Sequence, residues 1–209
     1  ENKRIADLIN EKLWSPNAHM YSNLSENRKN KTNVSTPTNL WALAGHVATE
    51  ERAKEIIDWH GRNSMKLYRP NGLASLCYDW DGGTGPFHPQ GQYWTGSIWA
   101  PTSYQYIWGL KEYGYDQLAF EEALRHVNLA SDVYEDGKNG VYKQGATFWE
   151  NYSSDYVRHG SEAKANFVGW SGCFAVGMVI EDLIGIDIDA PKNIVTWNVR
   201  LTEEFGVDN

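Results

Sequence analysis

Cysteine is scarce in this chain of 209 residues: Cys77 and Cys173 lie far apart, with no Cys-x-x-Cys pattern. That excludes a disulfide framework and a cysteine-built zinc site. Positive charge is also thin. Nineteen Lys and Arg stand against 27 Asp and Glu, for a formal charge of −8. Apart from a short Arg28, Lys29, Lys31 cluster the basic residues are scattered, so no nucleic-acid surface is expected. Long apolar runs are missing as well. The stretch from Cys173 to Ile180 is interrupted by Gly177 and closes on Glu181 and Asp182. A bilayer span requires roughly 20 apolar residues, so no membrane partner is expected.

The six histidines, His19, His46, His60, His88, His126 and His159, are never spaced i, i+4, and no His-Glu-x-x-His occurs. A catalytic metal is not expected. There is no Gly-x-Ser-x-Gly elbow and no Gly-x-x-x-x-Gly-Lys loop, which removes a serine hydrolase and a phosphate-binding cofactor site from consideration. No cofactor is predicted.

What the chain has in excess is aromatic surface: ten Trp and twelve Tyr, many of them between Tyr78 and Trp108 and between Phe148 and Trp170. Indole and phenol carry polar atoms that need partners when buried, so an ordinary core favours Leu, Ile and Val over them. Platforms that stack on flat ligands such as sugar rings explain the excess. Aromatic packing between helices explains it equally well at this stage.

Periodicity predicts about six helices. Ile5, Leu8, Ile9 and Leu13 mark the first, ending before Ser15 and Pro16; Leu40 to Val47, after Thr36 and Pro37, mark the second. Thr49 followed by Glu50 and Glu51 caps a third with Ala53, Ile56 and Ile57. Breakers from Pro70 to Gly91 make Tyr68 to Gly91 a long irregular loop. A fourth helix starts near Trp94 to Pro101 and runs to Tyr113, with Gly114 at its C-cap; Asp116 caps a fifth through Ala130. Phe167 to Leu183 reads as a sixth, apolar on most faces and therefore buried. Val195, Trp197, Val199 and Leu201 alternate with polar residues, as in a half-buried and unpaired terminal strand. The expected fold is all-α, a stack of helical hairpins.

Three blocks carry a family resemblance. Tyr93-Trp94-Thr95-Gly96-Ser97-Ile98-Trp99 resembles the Tyr-Trp-x-Gly-x-Ile-Trp segment of glycoside hydrolase family 63 and its trehalase-like relatives. Trp149-Glu150-Asn151-Tyr152 is similar to that family's motif around the catalytic base, and Phe167 to Ser171 to its Phe-x-Trp-Ser/Thr signature. The resemblance implies an (α/α)6 toroid, of which this chain is a partial barrel: residues 1–185 as the C-terminal part of the glycosidase domain and 186–209 as the start of a β segment. It departs from the pattern at Thr95, where the family commonly has Arg, and at Ser153 to Tyr156, in place of an Asn-Pro-x-Thr-Gly tail. The family's general acid, an aspartate, lies upstream of the first matched block. The isolated chain is accordingly expected to be inactive.

Glycosidic bonds break through an oxocarbenium-like transition state that needs one carboxylic acid and one carboxylate, about 6.5 to 9.5 Å apart in an inverting enzyme. By the resemblance Glu150 is the general base. Taken alone, a loop Glu is more often a solvated surface charge. Asn151 is expected to orient a hydroxyl or the water. Trp94, Gly96, Trp99, Tyr152 and Trp170 are the expected subsite around an oligosaccharide or disaccharide. Asp79 and Asp81 are either turn-setting residues or sugar contacts, and Asp81 is carried as a binding candidate. Trp108, Trp14 and Trp41 are expected in packing. The competing reading is a non-catalytic carbohydrate-binding or scaffolding helical module. Exposed inner-helix surface offers a route to self-association.

Overall fold

The computed structural model describes residues 1–25, 31–80 and 86–199. Its α-helices are α1 (Asn2–Lys12), α2 (Trp41–Ala44), α3 (Glu50–Ile56), α4 (Ala100–Glu112), α5 (Asp116–Lys138) and α6 (Cys173–Gly177). The strands are short antiparallel pairs joined into no larger sheet among the described residues. No described helix is long and apolar enough to cross a membrane.

The helical hairpin α4–α5 is the backbone of the fold, and α4 also packs on α2 and α6. Pro101 in the first turn fixes the start of α4, and Thr102 donates its hydroxyl hydrogen bond to Trp99 O at 2.9 Å. Gly114, at φ +73°, makes the left-handed turn into α5. Asp116 is the first helical residue of α5 and Tyr115 its N-cap, so the expected cap sits one position inside. Thr49 does cap α3, accepting from Arg52 N–H. Leu40, Leu43, Ile56, Leu67, Ile107, Leu110 and Met178 build the main core between these helices. Ile98, Leu129, Val133, Trp149 and Tyr152 form a second cluster around the paired strands Ser97–Ile98 and Tyr152–Ser153.

Several expectations are corrected. The fourth helix begins at Ala100, at the late end of the expected Trp94 to Pro101 range, because Ser97–Ile98 is a strand paired with Tyr152–Ser153. The second helix shrinks to a 3₁₀ turn, Pro37–Leu40, and four α-helical residues. The sixth is α6 with π-helical turns at both ends, Val168–Gly172 and Met178–Ile184, and Val168, Val176 and Ile180 are exposed. Nothing among the described residues covers that face, so the helix is only half-buried. The long loop contains a hairpin, Tyr68–Arg69 with Gly72–Leu73. At the end, Ile194–Trp197 is paired with Ile186–Asp189 and exposed along its length, not half-buried and alone. Leu201 lies outside the described residues. Trp14 is core as expected, whereas Trp41 and Trp108 are exposed.

Candidate active site

The antiparallel pair Ser97↔Ser153 and Ile98↔Tyr152 joins two of the three sequence blocks directly. A tight turn at residues 88–96 delivers the aromatics. Gly96 adopts φ +132°, and a Cβ there would lie 2.3 Å from His88 O, so no other residue fits. Its N–H donates to Ser75 Oγ at 3.1 Å. Trp94 and Trp99 then stack at 4.1 Å with their planes 6° apart. Trp99 is 1% exposed and anchors the pair, while Trp94 is 50% exposed and offers its free face. Trp170, from the third block, meets Trp99 edge-on at 5.8 Å and is itself 36% exposed.

Glu150 stands at the edge of this wall and is 4% exposed. Its backbone is tied on both sides: the N–H donates to Lys164 O at 2.8 Å, and the carbonyl accepts from Trp170 Nε1 at 3.2 Å and Ser171 Oγ at 3.4 Å. Its carboxylate accepts from Tyr93 Oη at 3.4 Å through Oε1, and from Lys164 N–H at 3.4 Å through Oε2. Tyr93 was not singled out as a site residue. Its backbone at φ +49° is the signal, and it is visible only in the structure. The three blocks therefore converge, with Glu150, Tyr93, Trp99 and Trp170 in one contact chain.

Asn151 and Tyr152 stand one layer back. Asn151 is 0% exposed beneath Gly160, where a Cβ would fall 1.9 Å from its Oδ1. Tyr152 accepts from Trp149 N–H at 3.2 Å, and burial pushes its phenol up to about 12. Both residues support the wall from behind. Asp81 lies outside the described residues. Asp79 is paired with Lys66 at 2.6 Å. No cluster of three or more His, Cys, Asp or Glu able to hold a metal occurs among the described residues. A cavity of about 610 Å³ lies elsewhere, lined by Tyr104, Trp108, Lys111 and Glu181 among others, and Glu150 takes no part in it.

The Trehalase family profile fits residues 1–171, and the chain belongs to that family. It is 26% identical over 135 residues to a mannosylglycerate hydrolase from Rubrobacter radiotolerans, covering 64% of this chain and 30% of that protein. Among solved structures it is similar to the neutral trehalase of Saccharomyces cerevisiae, with a TM-score of 0.63, 20% identity, and 83% of this chain and 28% of that one covered. It is also similar to the family 63 mannosylglycerate hydrolase of Thermus thermophilus in complex with glucose, with a TM-score of 0.60, 20% identity, and 80% and 34% covered. These likenesses are consistent with a partial helical toroid. The chain spans 42% and 30% of the lengths of the first two curated relatives it matches.

Proposed function

We propose that this chain is part of an inverting α-glycosidase and supplies its general base and an aromatic sugar subsite. The observation that carries the reading is the Glu150 carboxylate, buried and held by Tyr93 and Lys164 at the edge of the Trp94, Trp99 and Trp170 wall. The indole face of Trp94 suits the C–H face of a sugar ring. Membership of the trehalase family, and the relatives named as a trehalase and mannosylglycerate hydrolases, support an α-linked gluco- or manno-configured substrate.

In this mechanism Glu150 takes a proton from a water, and the water oxygen bonds to the anomeric carbon on the face opposite the leaving oxygen. The glycosidic C–O bond breaks, and its electron pair leaves with that oxygen, which takes a proton from the acid. The carboxylate of Asp79 is paired with Lys66, and that of Asp155 with Arg69 at 2.5 Å. Following the family pattern, we assign the acid to a segment outside this chain. The inner-helix face with Val176 and Ile180 is then the surface available for association.

Proton NMR of the first product released from an α-linked substrate tests the stereochemistry. The β-anomer is expected at early times, before mutarotation. An initial α-product would mean that a covalent intermediate forms, and that Glu150 is not a simple base.

A further inference from the structure

Arg69 sits in the Tyr68–Leu73 hairpin at the junction of three loops. Its Nε and Nη2 donate to Asp155 Oδ1 at 2.9 Å and Oδ2 at 2.5 Å, and its Nη1 donates to Ser64 O at 2.6 Å. The guanidinium lies over the rings of Tyr78 at 4.2 Å and Phe87 at 5.4 Å. Both charged side chains of the fork are largely shielded, 13% and 16% exposed. The hairpin is braced from behind by α5: Arg125 donates to Arg69 O at 2.8 Å, lies over the Tyr68 ring, and pairs with buried Glu122.

The same hairpin's turn aims its free polar groups at residues 153–156. Asn71 N–H donates to Ser154 O at 3.0 Å, and its side-chain amide donates to Ser153 O at 3.3 Å and Tyr156 O at 2.9 Å. Segment 153–155 in turn holds the loop that leads to Tyr93 and Trp94. Ser153 Oγ donates to Pro89 O at 2.7 Å, and Asp155 N–H donates to the same oxygen at 3.3 Å. Segment 153–156 follows Glu150 by a few residues, and the Pro89 loop carries the aromatic wall. One shielded ion-pair fork therefore fastens together the two loops that bear the base and the subsite.

We propose that Arg69 and Asp155 are a positioning pair that fixes where the Glu150 carboxylate stands relative to Tyr93 and Trp94. The inference rests on Glu150 being the base. A planar bidentate fork fixes distance and orientation at once, which a single point charge does not. A misplacement of about 1 Å in a catalytic geometry costs on the order of 100-fold in rate. A pair that acts through the loops it fastens shifts turnover more than binding when it is lost.

The test uses the whole protein that contains this chain, with an α-linked substrate and four variants: D155N, R69K, the double variant, and E150Q as the reference for the base. D155N keeps the shape of the side chain but sets an amide against a guanidinium donor; R69K keeps the charge but loses the fork. Each single variant should lower kcat by about 10- to 100-fold with KM within about 3-fold, at an assay temperature where circular dichroism shows both folded. The double variant should be no slower than the worse single, since the pair acts as a unit. Losses that multiply, or a fall confined to KM, would overturn the positioning role. Should D155N fail to fold, the kcat of R69K decides. If E150Q is inactive while R69K and D155N turn over normally, the pair is merely structural and Glu150 stands. If E150Q is itself active, the reading of the site has failed and the positioning pair falls with it.

Discussion

The phenol of Tyr93 donates a hydrogen bond to Oε1 of Glu150 at 3.4 Å from a left-handed backbone at φ +49°. A non-glycine residue in that region is held there against its preference by its surroundings, and such outliers concentrate at functional sites. Here the conformation turns the ring edge-on to Trp99 at 4.8 Å and brings its hydroxyl to the carboxylate.

Tyr93→Phe removes that donor and leaves the ring. The bond is long, so about 1 kcal/mol is expected, equivalent to a roughly 5-fold lower kcat. Steady-state kinetics on the whole protein would show it, and an unchanged kcat would make the contact incidental.

The stacked pair Trp94 and Trp99 should respond unequally to truncation. Trp94→Ala removes a half-exposed ring, so it should raise KM several-fold while leaving stability within about 1 kcal/mol. Trp99→Ala opens a cavity at a fully buried position and should cost about 3 to 5 kcal/mol. Substrate titration and urea denaturation separate the two effects. Equal loss of stability from both would show that Trp94 is packing and not a sugar platform.

Gly96→Ala is expected to destabilise strongly, because the added methyl meets the His88 carbonyl at 2.3 Å and the φ of +132° is already costly for alanine. Gly114→Ala is the control: φ +73° with nothing within 4 Å of the new Cβ. Only the conformational cost of about 1 kcal/mol is expected there. A Gly96→Ala melting temperature no lower than that of Gly114→Ala would contradict the close approach.

Two buried groups one turn apart on α5 make opposite contributions to pH stability. Burial raises Glu122 from 4.5 to about 7 despite its pairing with Arg125, and lowers His126 from 6.5 to about 4. The folded protein therefore binds an extra proton at Glu122 between about pH 4.5 and 7, and stability falls as pH rises through that window. At His126 the unfolded chain binds the extra proton between about pH 4 and 6.5, so stability rises with pH there. Each contribution is at most about 3 kcal/mol and the two largely cancel. Glu122→Gln should expose a melting temperature that climbs from pH 4 to 6.5, and His126→Gln one that declines from pH 4.5 to 7. Parallel curves for both variants would refute the assignment.

Much of the helical frame was legible because its signals are local. The apolar period of α5, the proline at the start of α4 and Gly114 at its end are read from neighbouring residues. The strand Ser97–Ile98 just before α4 was not, because it pairs Ile98 with Tyr152, far along the chain. The same holds for the Tyr68–Leu73 hairpin, which meets residues 153–156 from a stretch that looks irregular in sequence. In the candidate site, Glu150 and the tryptophans were singled out by motif. Motifs record residue type, so they did not separate exposed Trp94 from buried Trp99, or open positions from Asn151 and Tyr152 behind the wall. Asp155 appeared only as a departure from the family tail, and its partner Arg69 gave no signal at all before the fork was seen.

The measurement that bears most directly on the account is the activity of the whole protein carrying Glu150→Gln. The swap keeps the side chain's size and its hydrogen-bonding reach to Tyr93 and Lys164 but removes its basicity. General base catalysis is worth about 10² to 10⁴ in rate, so kcat on an α-linked gluco- or manno-configured substrate should fall at least 100-fold. The melting temperature should move by no more than about 2 °C. Undiminished turnover by the Gln variant would remove Glu150 from the mechanism and leave a carbohydrate-binding module as the better description of this fold.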